Sequence, residues 1–184
     1  MSRPGPLAEL LWAVRFRFNN RFRRRLAVLK CDVPVSGPDR GVTVRRFGPG
    51  EDLPDELRAG LAGLFGADFP AVHAAERAGG SVLYVGLLEN EPAGFVRAKP
   101  GGRVAGWHED LGPDDRLIYA MGTARAARGR GVAAAVLRAA LADLPAGAAA
   151  WADTMTWNAP CLTVLGRAGF RTLYEADPLP AHPD

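Results

Sequence analysis

Arg128-Gly129-Arg130-Gly131-Val132-Ala133 lies between a short apolar run and a long alanine-rich segment. Upstream stands Leu117-Ile118-Tyr119-Ala120-Met121-Gly122-Thr123, rich in strand formers and ended by small residues. Downstream, Val132, Ala135, Val136, Ala139, Ala140 and Leu144 recur at helical spacing, with Arg138 and Asp143 on the other side. Strand, glycine turn and helix therefore follow one another from Leu117 to Leu144. The unpaired N–H groups at the start of such a helix, together with the positive end of its dipole, make a ready anion site. Gly129 and Gly131 let backbone approach a phosphate with no Cβ in the way, and Arg128 and Arg130 add positive charge.

The spacing is not that of the dinucleotide fingerprint, which needs three glycines and a later acidic residue, nor of a P-loop, because no Gly-Lys-Ser/Thr follows. It matches Arg/Gln-x-x-Gly-x-Gly/Ala, here Arg128-x-x-Gly131-x-Ala133. A second block begins at Asn158-Ala159-Pro160-Cys161, continues as an apolar helical run and reaches Gly169-Phe170. Asn158 suits an N-cap, Pro160 the first helical turn and Gly169 a helix end before a strand. Together the two blocks resemble the GNAT N-acetyltransferase superfamily, over residues 42–175.

The resemblance implies an α/β domain with a mixed, mostly antiparallel central sheet flanked by helices. Its strands carrying Tyr119 and Trp151 would run parallel and splay apart. The pantetheine arm of acetyl-CoA, or of another acyl-CoA, would enter that gap beside Met121, Gly122 and Thr123. The pyrophosphate would lie on Arg128, Gly129, Arg130, Gly131, Val132 and Ala133, with Asn158 as a further cofactor contact. A backbone N–H near Met121 or Gly122 would stabilise the oxyanion. The implied activity is direct acyl transfer to a small amine. Many members carry a tyrosine seven residues after the helix-opening asparagine to protonate the departing thiolate; counting from Asn158 reaches Leu165, which has no proton to give. That departure keeps a second reading open, a non-catalytic acyl-CoA-binding or regulatory module.

Composition agrees with one globular core: 184 residues, 48% hydrophobic, net charge +3. The first apolar residues, Leu7 to Val14, are too few to span a membrane and include Glu9, so neither a span nor a signal peptide is expected. Cys31 and Cys161 form neither metal spacing nor a disulfide framework, which makes a reducing cytoplasm the default and leaves no metal site. The cations are almost all arginine, only Lys30 and Lys99 being lysines, and Ala, Gly and Pro abound, as in a GC-rich bacterial genome.

Leu7, Leu10, Leu11, Val14 and Phe18 lie on one helical stripe, followed by the basic run Arg21 to Arg25 and a short strand at Leu26–Leu29. Ser36 to Gly41 reads as a linker, which divides the chain into a basic amphipathic extension at 1–38 and a catalytic domain at 39–184. The extension would pack on the domain with a solvated arginine face. Its interleaved aromatics also suit peripheral membrane contact, while nucleic-acid binding is not expected. Further strands are expected at 42–47, 82–88, 93–98, 147–152 and 170–174, and helices at 52–65 and 70–78. The assembly would be a monomer or a homodimer.

An amine acceptor is mostly protonated at neutral pH, so a base is required. Asp153, at the end of the strand after the helix, and Glu109, before the Leu117 strand, are the carboxylate candidates. Tyr119 is a candidate proton carrier. Each also suits an ordinary role at the end of an element. Cys161, in the first turn of a helix, would gain acidity from the dipole, yet a small cysteine is more often a packing residue. Arg103, Trp107, His108, Glu109 and Asp110 in the 100–115 loop form a polar rim with one aromatic wall, suited to the acceptor.

Overall fold

A computed structural model describes residues 25–34 and 41–179. Seven strands form a single sheet: β1 Leu26–Cys31, β2 Thr43–Phe47, β3 Val82–Leu88, β4 Glu91–Pro100, β5 Arg116–Thr123, β6 Ala150–Met155 and β7 Arg171–Ala176. Four helices accompany them: α1 Asp55–Phe65, α2 Phe69–Ala78, α3 Val132–Ala142 and α4 Ala159–Arg167. Strand order is β2-β3-β4-β5-β6-β1-β7, and every neighbouring pair is antiparallel except β5–β6.

Two apolar layers explain the arrangement. On one face Leu57 and Leu61 of α1 and Phe69 of α2 pack with Leu83, Val85 and Phe95. On the other, Val136 and Leu137 of α3 and Leu165 of α4 join Val96, Ile118, Ala150 and Ala152. β3 is buried at every position, as expected of a strand covered on both sides. The hairpin to β4 turns through Glu89 and Asn90, both left-handed (φ 54° and 68°), the geometry of a two-residue turn whose twist suits antiparallel strands.

Three differences from the expected boundaries bear on the site. The first helix starts at Asp55 rather than Asp52, because Pro54 holds Leu53 out of the helical region. β6 runs from Ala150 to Met155 rather than 147–152, because Gly147 is left-handed (φ 82°) and turns the chain. Asp153 therefore lies inside the strand rather than at its end. The larger change concerns β1. Leu26–Cys31, assigned to the extension by the boundary at residue 38, is an interior strand paired with both β6 and β7. Val28 and Leu29 are buried, so this strand is part of the core rather than an appendage. The amphipathic stripe and arginine run at 7–24 lie outside the described residues. Among the described residues no helix is long and apolar enough to cross a membrane.

Candidate active site

β5 and β6 pair only through Arg116↔Ala150, Leu117↔Trp151 and Ile118↔Ala152; beyond that the parallel ladder ends. A bulge accompanies the break. Arg97 faces Tyr119 and Phe95 faces Gly122, so Ala120 and Met121 together oppose Val96, and Ala120 is left-handed at φ 47°. An extra residue in one strand bends it and increases its twist, which carries β5 away from β6. Gly122 and Thr123 thus remain paired with β4 on one edge, and Met121 to Thr123 lack ladder partners on the β6 side.

At the end of β5 the Ala124 N–H donates to Ala93 O at 2.8 Å, and a single 3₁₀ turn, Arg125–Ala127, leads into the glycine loop. Gly129 (φ 78°) and Gly131 (φ 87°) are left-handed, and a Cβ at Gly129 would meet nothing within 4 Å. Gly131 is the N-cap of α3 and provides no side-chain cap; the first helical bond is Ala135 N–H to Gly131 O at 3.0 Å. First-turn N–H groups are therefore left without a side-chain partner. Val132 is buried against β3 and β4: a Cβ on Gly94 would come within 2.7 Å of its Cγ1. Val132 therefore offers backbone, not side chain. Arg128 and Arg130 are exposed beside the loop, and Arg130 Nη2 lies 3.1 Å from Glu89 Oε1. Asn158 does cap α4, its Oδ1 accepting from Cys161 N–H at 3.4 Å while Nδ2 donates to Thr154 Oγ1 at 3.3 Å.

The opposite side of the split is made by side chains. A cavity of about 320 Å³ opens over β5, with Lys99, Arg103, Trp107, Leu117, Tyr119 and Leu179 in its wall. Trp107 is fixed by its indole N–H, which donates to Asp153 Oδ2 at 2.9 Å, and by an edge contact with Trp151. His108 Nε2 lies 3.6 Å from the same Asp153 oxygen. Asp115 anchors the base of the 100–115 loop, accepting from Ala149 N–H at 2.8 Å and from the Trp151 indole at 3.0 Å. Desolvation acts to raise the Asp115 pKa, but those donors and the Gly112 N–H outweigh it and hold the carboxyl below its usual range. Glu109 is bound by the Tyr174 hydroxyl, away from the split. Burial first, then the Glu109 carboxylate, pushes the Tyr174 phenol up to about 12.

Tyr119 lies next to the last paired residue of β5. Its hydroxyl donates to Glu76 Oε2 at 2.5 Å and shares a 2.5 Å hydrogen bond with Ser81 Oγ. Burial, then the Glu76 hydrogen bond, raises the phenol pKa and keeps Tyr119 protonated. Glu76 is pushed up by desolvation but pulled down further by Tyr119, Lys99 and Ser81, so it remains an anion. Arg97, cross-strand from Tyr119, is 4% exposed and stacks over Phe69 and Phe95 at 4.8 and 5.2 Å. Sequence reasoning missed Glu76, Ser81 and Arg97. The one available signal was a charged residue inside the apolar strand Phe95-Val96-Arg97-Ala98.

Cys161 is removed from the nucleophile candidates. Burial raises its thiol pKa by more than the Thr154 hydrogen bond lowers it, and the Asp153 charge adds to the rise, so the thiol stays protonated. Leu165, in the position of the superfamily tyrosine, is 2% exposed within the main core. Among the described residues no group of His, Cys, Asp and Glu is placed to hold a metal ion.

A bulged strand that parts from its parallel neighbour, with a glycine-opened helix beyond its end, is the arrangement that the resemblance to the GNAT superfamily implies. The chain belongs to the acetyltransferase (GNAT) family, whose family model matches residues 52–170. It is 31% identical to a mycothiol acetyltransferase of Streptomyces bingchenggensis over 185 residues, covering 93% of this chain and 56% of that protein. Similar folds include a GNAT-family protein from Novosphingobium aromaticivorans (TM-score 0.57, 18% identity, 83% of this chain and 61% of the other). Another is a tandem GNAT protein from the clavulanic acid biosynthesis pathway (TM-score 0.55, 16% identity, 91% and 59%). The chain thus spans little more than half the length of these relatives.

Proposed function

We propose that this chain moves an acetyl group from acetyl-CoA to a small primary amine by direct transfer, with Asp153 receiving the amine proton. The observation that carries this reading is the end of the β5–β6 ladder at Ile118↔Ala152, with the glycine loop on one side and the cavity on the other. The backbone N–H groups of Gly129 and of Gly131 to Ala133, with the charges of Arg128 and Arg130, suit a pyrophosphate. The unladdered edge of Met121 to Thr123 suits the amide-bearing arm of coenzyme A. Asn158, already used as a cap, would contribute at the edge of that groove.

In the transfer the amine nitrogen bonds to the thioester carbon, the carbon–sulfur bond breaks and the amine proton passes to a base. Asp153 is the best-placed carboxylate, one residue past the last paired position and oriented by Trp107. Glu76 is depressed in pKa and already accepts from Tyr119. With leucine at position 165, the leaving sulfur takes its proton from water. A bacterial, cytoplasmic setting goes with this reading, since the mycothiol acetyltransferase relative is bacterial and both cysteines are free.

The test is CoA binding by calorimetry together with thiol release from acetyl-CoA across an amine library. Binding and amine-dependent thiol release are expected, and Asp153→Asn should lower kcat by about 100-fold or more. Binding with no turnover on any amine would leave a non-catalytic acyl-CoA-binding module. Absence of CoA binding would end both readings.

A further inference from the structure

The cavity over β5 is lined by no acidic side chain among the described residues. Its cations are Lys99 and Arg103, and the wall between them and the split is largely apolar, including Val104, Leu117 and Trp107. Two residues before Lys99 on β4 stands Arg97, whose Nε and Nη2 are buried with no hydrogen-bond partner. Glu76, the carboxylate coupled to both Arg97 and Lys99, is already engaged: Tyr119 donates to it, Ser81 lies at 3.2 Å and Lys99 Nζ at 3.5 Å. Arg97 and Lys99 thus share one occupied anion, and Arg103 adds a further cation to the cavity wall. Contacts of Arg97 with the rings of Phe69 and Phe95 offset part of its desolvation, and its buried charge adds to the positive potential beside Lys99. A bare amine, itself a cation, would be repelled by this wall.

We propose that the acceptor brings the missing anion: a primary amine carrying a carboxylate or phosphate-type oxyanion across an apolar spacer. The proposal rests on the cavity being the acceptor site, and strand register sets its scale. Lys99 stands opposite Leu117, two residues before Tyr119, so the end of the cavity at Lys99 lies two strand residues back from the split. Two residues along a strand correspond to roughly 7 Å, which becomes the separation between amine nitrogen and oxyanion. The amine then lies at the mouth between Tyr119 and Asp153, the spacer along Leu117 and Trp107, and the oxyanion at Lys99 and Arg103. Arg103 offers a planar fork suited to either oxyanion.

The test compares acetylation of 6-aminohexanoate, the matching aminoalkylphosphonate, hexylamine and glycine, with CoA binding measured separately by calorimetry. The carboxylate and phosphonate arms distinguish the two oxyanions. At least one should show kcat/KM about tenfold or more above hexylamine, the effect of a hydrogen bond to a charged group. Glycine, with amine and carboxylate too close together, should be the poorer acid. Arg103→Gln should shrink the ratio of oxyanion to hexylamine activity, and Arg103→Lys should restore part of it. If hexylamine matches or exceeds both oxyanion arms while CoA still binds, the proposal fails and the acyltransferase reading stands. If Arg103→Gln lowers every amine equally, the oxyanion assignment fails as well.

Discussion

The two sides of the β5–β6 split are made of different materials. On the glycine-loop side one continuous segment, Met121 to Ala133, presents main chain: left-handed glycines, first-turn N–H groups and a strand edge without a ladder partner. On the cavity side, α2, β4, the 100–115 loop, β5 and β6 each contribute one or two side chains, among them Glu76, Lys99, Trp107, Tyr119 and Asp153. Main-chain recognition needs local conformation, which a few glycines and a helix start can dictate. Side-chain recognition needs the tertiary fold to be complete first. The first site should therefore be sensitive to backbone chemistry, and the second to anything that moves the sheet.

The largest effect tests that dependence on the sheet. Deleting residues 1–36 removes β1, which separates β6 from β7 and carries the buried Val28 and Leu29. The deletion is expected to abolish cooperative thermal unfolding, read by circular dichroism. A truncated protein that still melts sharply would show that β6 and β7 can close on each other without it.

Gly131→Asp comes next and acts on the main-chain side alone. A side chain at φ 87° costs about 1–2 kcal/mol, tolerable for the fold, and the carboxylate would oppose a phosphate at the helix start. CoA binding should weaken by about 100-fold or more while melting changes by only a few degrees. Micromolar binding retained by this variant would remove the pyrophosphate from the loop.

The same contrast explains what could be read from the chain. Strand, loop and helix around Arg128–Ala133 were legible because periodicity and glycine spacing are local, and Asn158 announced its cap. The place of β1 was not, since nothing in Leu26–Cys31 specifies which strands it will pair with. Glu76 gave no signal, and Arg97 only that of a charge in an apolar strand, for a similar reason: their partner Tyr119 lies on a separate strand, brought to them by the fold. The bulge at Ala120 was equally hidden, as alanine carries no sequence signal for a left-handed backbone.

Leu165→Tyr asks whether the superfamily tyrosine can be restored. At 2% exposure the site has no spare volume, so a phenol should overpack the core by about 1–3 kcal/mol. At roughly 2–4 °C per kcal/mol for a chain of this size, melting should fall by several degrees without faster thiol release. An unchanged melting temperature with faster turnover would mean that the hydroxyl reaches the leaving sulfur, and that position 165 belongs to the site rather than the core.

The smallest effect separates the two sides by pH. His73 of α2 is 6% exposed with Nε2 unpartnered, and burial, then the Arg97 charge, pushes its pKa below the ordinary 6.5. In the unfolded chain it gains a proton as pH falls through 6.5; in the folded protein it stays neutral until a lower pH. The unfolded state therefore binds more protons in that window, and stability must fall as the solution is acidified. The loss is about 1.4 kcal/mol for each pH unit in which the two states differ by a full proton. His73→Leu removes the titration together with the unsatisfied nitrogen. Urea unfolding at pH 7.5 and 5.5 should show a smaller loss for the variant than for the parent, by about 1 kcal/mol. An equal loss in both would place the acid sensitivity of this window outside His73; Glu76 and Asp115, whose carboxyls are held below their ordinary range, lose their contribution only in more acidic solution.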